Sequence, residues 1–410
     1  MKRASKPDTA IVLRSGTLAG RISRTSHGAV FEYEPALLEA QRADADRGIA
    51  HHLPFDKPRV ETRGTNLHTF FAGLLPEGLR LRALVRRVKT SEDDLLSLLV
   101  EAGADCIGDV AVVRDAARPV DATPTVDVTE LSRVRFADVL AESLAGKRGN
   151  EPTIPGAQEK VSAAMISLPV HGATDARSFI LKLNPQRMPR LVENEDFFLR
   201  MARASGLIVA KATLAHDREG EAGLLVERFD RVPERGGMRK VHQEDACQFL
   251  DRYPADKYVL SYADIARGIG AWASAPVVET ARYLRLIAFS YLVANGDLHA
   301  KNVSLRTNPS DGRVELSPAY DVLSSLPYGD RTMALSFDGR DDNLKRAQIV
   351  AFGERFGVRR GSAEAMLDEL CDVAPAWIGS LDEIGLEAKK SADLAKVMKK
   401  RLADLGTRGR

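Results

Sequence analysis

Asp297, Asn302 and Asp321 carry the chemistry most readily read from this sequence. The first two stand five positions apart in Gly296-Asp297-Leu298-His299-Ala300-Lys301-Asn302, and the third follows in Tyr320-Asp321. Phosphoryl transfer needs this combination: a carboxylate beside the attacking hydroxyl, and oxygen donors for a hard cation. Asp297 is the candidate general base or orienting carboxylate. Asn302 offers a neutral oxygen to Mg²⁺ and Asp321 a charged one. Asp and Asn also close ordinary turns, but the company of Asp321, His299 and Lys301 favours chemistry. No cysteine or second histidine stands at ligand spacing from His299, and Mg²⁺ avoids imidazole, so its ring is expected to brace the loop. Lys301 is a candidate to steady the transferring phosphate.

Upstream lie the groups that a nucleotide would need. Thr153-Ile154-Pro155-Gly156-Ala157-Gln158-Glu159-Lys160 is a turn before a strand. Its backbone, at Gly156, Ala157 and Gln158 with Lys160, could cradle ATP phosphates. It is not a Walker A loop, since it lacks both the glycine spacing and the Lys-Ser/Thr pair. In Phe179-Ile180-Leu181-Lys182-Leu183, strand alternation puts Lys182 opposite Phe179, Leu181 and Leu183. There it could reach phosphate, with Glu195 or the competing Glu193 as its ion-pair partner. Glu227-Arg228-Phe229-Asp230 closes a strand before a helical region. This is hinge-like: Glu227 and Phe229 could read adenine through backbone groups, and Asp230 could accept from ribose hydroxyls.

These residues need elements to hold them. Thr9 to Gly20 reads as a strand pair and Gly28 to Tyr33 as another strand. A helix is expected from Ser91 to Glu101, with Ser91 as N-cap, and a strand from Cys106 to Val113. Residues 114 to 128 look like a crossing loop. Short apolar segments at Val161 to Leu168, Phe179 to Leu183 and Leu224 to Phe229 read as strands. A helix from Asn194 to Ser205 lies among them, ended by Gly206. From about Arg231 the pattern is mostly helical. An amphipathic helix, Ala281 to Asn295, runs into Asp297. A hairpin, Val303 to Leu305 with Val314 to Leu316, would return Asp321 to the loop. Helices follow from Ser362 to Leu405. The fold class expected is α+β: a two-lobed protein-kinase-like fold with an additional mixed α/β N-terminal domain and a mostly helical C-lobe. Its divisions would be 1–113, 128–230 and 231–410.

At 410 residues the chain is long enough for two or three domains. Its formal net charge of only +2 gives no global basic field for binding nucleic acid directly. Arg80, Arg82, Arg86 and Arg87 form a local cluster, read first as a solvated helix face. Three well-separated cysteines suit free thiols in a reducing compartment. No run approaches a membrane span and no apolar signal segment opens the chain, so a cytoplasmic protein is expected.

The ordered set of motifs resembles the HipA-type serine/threonine kinases, toxins of bacterial toxin–antitoxin pairs. The pieces are Gly73-Leu74-Leu75-Pro76-Glu77-Gly78, Pro155-Gly156-Ala157-Gln158-Glu159-Lys160, Leu181-Lys182-Leu183, Asn194-Glu195, Val226-Glu227-Arg228-Phe229-Asp230, Asp297 to Ser304, and Ser317-Pro318-Ala319-Tyr320-Asp321. The resemblance spans nearly the whole chain. It implies ATP and Mg²⁺ as cofactors, Asp297 as catalytic aspartate, Asn302 and Asp321 as metal ligands, and Lys182 as the ATP lysine. It also implies an aminoacyl-tRNA synthetase as substrate, typically the glutamyl enzyme, and a small helix-turn-helix antitoxin that contacts operator DNA. Family members silence themselves by phosphorylating a loop serine. Thr153 stands at that position here, with Pro155 restricting the backbone nearby. A small-molecule kinase and a catalytically weak co-repressor are the alternatives. The Gly156 to Lys160 loop and the N-terminal module disfavour the first, and retention of Lys182, Asp297, Asn302 and Asp321 disfavours the second.

Overall fold

The structure is a computed structural model that describes residues 6–41, 48–64, 66–115, 128–143, 166–171, 177–234 and 237–406. Thr153, Gly156, Ala157, Gln158 and Lys160 lie outside the described residues, as does the start of the strand expected from Val161.

The N-terminal part is built on an antiparallel sheet. Its strands are Thr9–Arg14 (β1), Thr17–Thr25 (β2), Gly28–Tyr33 (β3), Arg59–Arg63 (β4) and Val110–Val113 (β5), in the order β4-β3-β2-β1-β5. Ser15 and Gly16 join the first two with φ of 48° and 82°. Positive φ at both central residues matches the twist of a two-residue hairpin. Phe31, Phe70, Phe71, Leu96 and Val112 belong to the apolar core beneath this sheet. The helix expected from Ser91 begins instead at Leu95 and runs to Ala102. Ser91 forms a turn, its carbonyl accepting from Asp94 N at 3.1 Å and its hydroxyl from Asp93 N at 3.3 Å. A local turn thus captured the hydroxyl that would have capped a longer helix.

A second antiparallel sheet comprises Ile166–His171 (β6), Ser178–Leu183 (β7), Ala212–His216 (β8) and Ala222–Glu227 (β9), ordered β6-β7-β9-β8. The strand at Ala212 was not anticipated, because its sequence, ATLAH, has little apolar alternation. The helix Leu191–Ala204 packs on this sheet and buries Phe197, Phe198 and Met201 completely. Gly206, at φ 78°, turns the chain out of the helix.

Beyond Asp230 come two small β ribbons before and among the helices. Arg231–Glu234 (β10) pairs with Gly237–Lys240 (β11). Gln243–Asp245 (β12) pairs with Ser304–Thr307 (β13), which pairs with Val314–Leu316 (β14). The long helices are Tyr262–Trp272, Pro276–Leu292, Arg346–Arg355, Arg360–Gly379 and Ala388–Gly406. Pro276 opens its helix where a missing N–H costs nothing, which places the start earlier than Ala281. The architecture is that of a kinase-like fold, with a mixed α/β N-terminal part and a helical C-lobe. No helix among the described residues is long and apolar enough to cross a membrane.

Candidate active site

Lys182 lies in the middle of β7, with only 5% of its surface exposed. Its ammonium donates to Glu195 Oε1 at 2.6 Å and to Asp321 Oδ1. Burial alone would push this lysine down, but the two carboxylates outweigh it and hold the ammonium well above the ordinary lysine range. Glu195 is fully buried in the helix Leu191–Ala204. Burial pushes its carboxyl up to about 7, against the pull of Lys182 and with the help of the second carboxylate at Asp321. Two acids around one lysine leave an excess negative charge, and the buried one holds a proton more readily. Glu193, the competing partner, turns outward to Asn184 Nδ2 at 2.9 Å and Arg190 Nη1 at 2.7 Å.

Asp321 reaches Lys182 from an unusual backbone conformation, φ 55°. Asp is among the few non-glycine residues that enter the left-handed region readily. Two contacts fix the segment. Asn194 donates Nδ2 to Ser324 O at 3.0 Å and accepts Ser324 N at 2.9 Å, both buried. Tyr320 donates its hydroxyl to Lys301 O at 2.7 Å and meets Ser304 Oγ at 2.6 Å. The Asp321 segment is therefore tied on one side to the helix carrying Glu195 and on the other to the loop carrying Asp297 and Asn302.

That loop is internally bonded. Asn302 Nδ2 donates to Asp297 O at 2.8 Å, which leaves Oδ1 as the atom that can face a cation. Asp297 N donates to Asn295 Oδ1 at 2.9 Å, and Asp297 Oδ1 accepts the Tyr258 hydroxyl at 2.7 Å. His299 is buried, its ring edge-on to Tyr258 with centroids 4.9 Å apart. Oxygen donors at Asn302 and Asp321 suit Mg²⁺, which prefers carboxylate and carbonyl ligands.

Two residues serve differently from the sequence expectation. The Asp230 carboxylate is taken up by protein partners. It is buried and accepts from Arg228 Nη2 at 2.9 Å, Arg231 Nη1 at 2.6 Å and Gly108 N at 2.9 Å. These guanidinium groups hold its carboxyl below the usual range despite burial. Asp105 accepts from both arginines, so the network fastens the N-terminal part to the Arg228–Arg231 segment. Lys301 donates to Asp245 Oδ2 at 2.7 Å and to Gly73 O at 3.2 Å, pointing at the N-terminal part. Glu227 ends β9 opposite Phe179, and Phe229 packs its ring on Tyr320 at 5.8 Å.

His51, His242 and Glu244 form a further cluster with metal-ligand side chains. Glu244 Oε1 lies 2.5 Å from His51 Nδ1 and 3.0 Å from His242 Nε2. Donors around a tetrahedral zinc stand roughly 3.3 Å apart, given metal–ligand bonds near 2 Å. These separations are hydrogen bonds, and His242 Nδ1 continues the chain to Asp109 Oδ1 at 2.9 Å.

The comparisons with known proteins agree with this architecture. Residues 153–378 match the HipA-like C-terminal domain, and residues 10–113 match the HipA N-terminal domain. Two chains of Sinorhizobium fredii named as kinases are similar to it. Y4mE is 30% identical over 77% of both chains, and Y4dM is 33% identical over 75% of both. A Haemophilus influenzae chain, also named as a kinase, is 26% identical over 56% of this chain and 73% of its own. Among solved structures, a chain of the Shewanella oneidensis MR-1 complex of HipA, HipB and operator DNA has the same fold. The TM-score is 0.75 at 21% identity, covering 97% of this chain and 96% of that one. With matched domains over most of its length and relatives 30% and 33% identical over three quarters of it, this chain belongs to the HipA family of kinases.

Proposed function

We propose that this chain is a Mg-ATP-dependent serine/threonine protein kinase acting as a bacterial toxin. The observation that carries the reading is the buried Lys182 bracketed by Glu195 and Asp321, with Asp321 tied through Tyr320 to the Asp297–Asn302 loop. Lys182 would orient the ATP phosphates. Glu227 and Phe229 would meet adenine at the hinge, and the Gly156, Ala157, Gln158 and Lys160 loop would cover the phosphates. Asn302 and Asp321 would hold Mg²⁺. The bound ion supplies charge neutralisation on the phosphate oxygens. Asp297 would orient the acceptor hydroxyl and take its proton. The bond from the γ-phosphorus to the ADP oxygen breaks as the bond to the hydroxyl oxygen forms.

The substrate proposed is an aminoacyl-tRNA synthetase, with the glutamyl enzyme first, so that translation stops. A small helix-turn-helix antitoxin would neutralise the kinase and carry most of the operator contact. Support comes from the fold shared with the Shewanella HipA, HipB and operator DNA complex, and from a net charge of only +2. Thr153 is the proposed site of self-phosphorylation, and the cytoplasm the proposed location. The test is to incubate the purified chain with labelled ATP, Mg²⁺ and a bacterial extract, then identify the labelled proteins. Label on a synthetase is the expected result. Label confined to small metabolites would overturn the protein-kinase reading.

A further inference from the structure

The N-terminal part makes direct contact with the catalytic loop. Its helix Thr69–Gly73 ends beside the short helix Ala246–Phe249, where Gln248 Nε2 donates to Phe70 O at 2.9 Å. A Cβ on Gly73 would come within 2.7 Å of Gln248 Cγ, so the approach needs glycine here. The turn after it, residues 73–78, delivers two acceptors to two lysines. Gly73 O accepts Lys301 Nζ, and Glu77 Oε2 accepts Lys257 Nζ at 2.5 Å. Glu77 Oε1 also stands 3.9 Å from Lys301 Nζ. Lys301 and Lys257 flank Asp297. Lys301 is four residues after it, and Lys257 O accepts Ala300 N at 3.1 Å. Tyr258, next to Lys257, donates its hydroxyl to Asp297 Oδ1 and packs its ring against His299.

We infer that Tyr258 and Glu77 are positioning residues: Glu77, from the N-terminal part, fixes Lys257 and so sets the Tyr258 hydroxyl that orients Asp297. The inference rests on the kinase reading above. A carboxylate with one oxygen held by a hydroxyl presents the other in a fixed direction, and small misplacements of reacting groups cost large factors in rate. Glu77 has no place at the nucleotide in this scheme, so its effect should reach turnover without altering ATP binding. This gives the N-terminal part a role in catalysis itself, through a contact made from outside the two lobes.

The test uses the full-length chain with Tyr258→Phe, Glu77→Gln, Glu77→Asp and the Tyr258→Phe/Glu77→Gln pair. The probe is label transfer from Mg-ATP to the proteins of a bacterial extract, with ATP affinity measured separately by calorimetry. Tyr258→Phe is expected to lower the rate at saturating ATP by roughly tenfold or more, with ATP affinity within about twofold. Glu77→Gln should lower it in the same way, and Glu77→Asp, which keeps the charge, should recover part of the loss. The double variant should be no worse than the weaker single, because both act along one path. Losses that multiply in the double variant would overturn the inference, as would rates near wild type in both singles. A parallel fall in ATP affinity would also overturn it, since that marks general loss of structure. A parent chain that transfers no label from Mg-ATP to any protein of the extract would instead sink the underlying kinase reading.

Discussion

At the scale of single residues, Asp297 and Asp321 carry separate tasks that substitution can tell apart. Asp297→Asn preserves shape and an acceptor for the Tyr258 hydroxyl but cannot take a proton. Transfer of phosphate should fall by about 10² to 10⁴-fold, while the melting temperature stays near wild type. Label incorporation at saturating ATP measures this, and a loss of only a few fold would remove Asp297 from the role of base. For Asp321 the informative change is to asparagine, because φ at this position is 55° and alanine would add backbone strain to the loss of charge. Asp321→Asn should weaken ATP binding in the presence of Mg²⁺ and leave metal-free binding almost unchanged, as followed by calorimetry. Equal affinities with and without Mg²⁺ in the parent chain would contradict the ligand role. The Asp297–Asn302 loop was legible in the sequence because its spacing is local: the two residues meet across five positions, Asn302 Nδ2 on Asp297 O. Tyr258 was not, since it meets Asp297 from 39 residues away with no motif around it. The partners of Asp230 were hidden for the same reason. Gly108 and Asp105 reach its arginine network from more than a hundred residues upstream, and nothing near Asp230 announces them.

At the scale of elements, the helix Leu191–Ala204 couples the sheet to the Asp321 segment. Sequence patterning found this helix and its Gly206 stop but placed its start at Asn194. The chain instead turns at Arg190, φ 64°, and enters the helix three residues earlier. Asn194 is thereby inside the first turns, where its side chain is free of capping duty and binds both backbone groups of Ser324. Asn194→Ala would leave Ser324 N and O buried without those partners. Unsatisfied buried groups cost about 1–3 kcal/mol each, so denaturant titration should show a loss of roughly 2 kcal/mol or more. ATP affinity should fall as well, because Asp321 loses its anchor. A stability within about 0.5 kcal/mol of the parent would mean that the Ser324 segment is held by other contacts. The β12–β13–β14 ribbon makes the complementary point. Its hairpin was readable from the apolar runs Val303 to Leu305 and Val314 to Leu316, whereas the pairing of β12 with β13, across some sixty residues, was not.

At the scale of the whole molecule, charged side chains join the N-terminal part to the lobes, and one of these junctions titrates. His242 lies between Asp109 and Glu244, with His51 on the far side of Glu244. Burial alone would lower the His242 pKa, but the two carboxylates outweigh it and raise the group to about 10. Glu244 is in turn held well below the carboxylate range despite burial, by its hydrogen bonds from His242 and His51. The sign follows from linkage. A histidine whose folded pKa is raised contributes stability that is full below its unfolded value, near 6.5. That contribution falls as pH rises and is gone above about 10. Glu244 works in the opposite sense, and its contribution is lost only in acid, below the ordinary range of a glutamate. Chemical denaturation between pH 6 and pH 10 should therefore show declining stability across the window. His242→Gln should be less stable at pH 6 and should lose most of the decline above about pH 7, where the Glu195 carboxyl no longer titrates, since glutamine donates without titrating. The composition disclosed none of this, because Asp109 and His51 reach the local His242–Glu244 pair only once the two parts have docked. A parent chain whose stability is flat from pH 6 to 10, or a variant that keeps the parent's slope, would show that His242 does not hold its proton between these carboxylates.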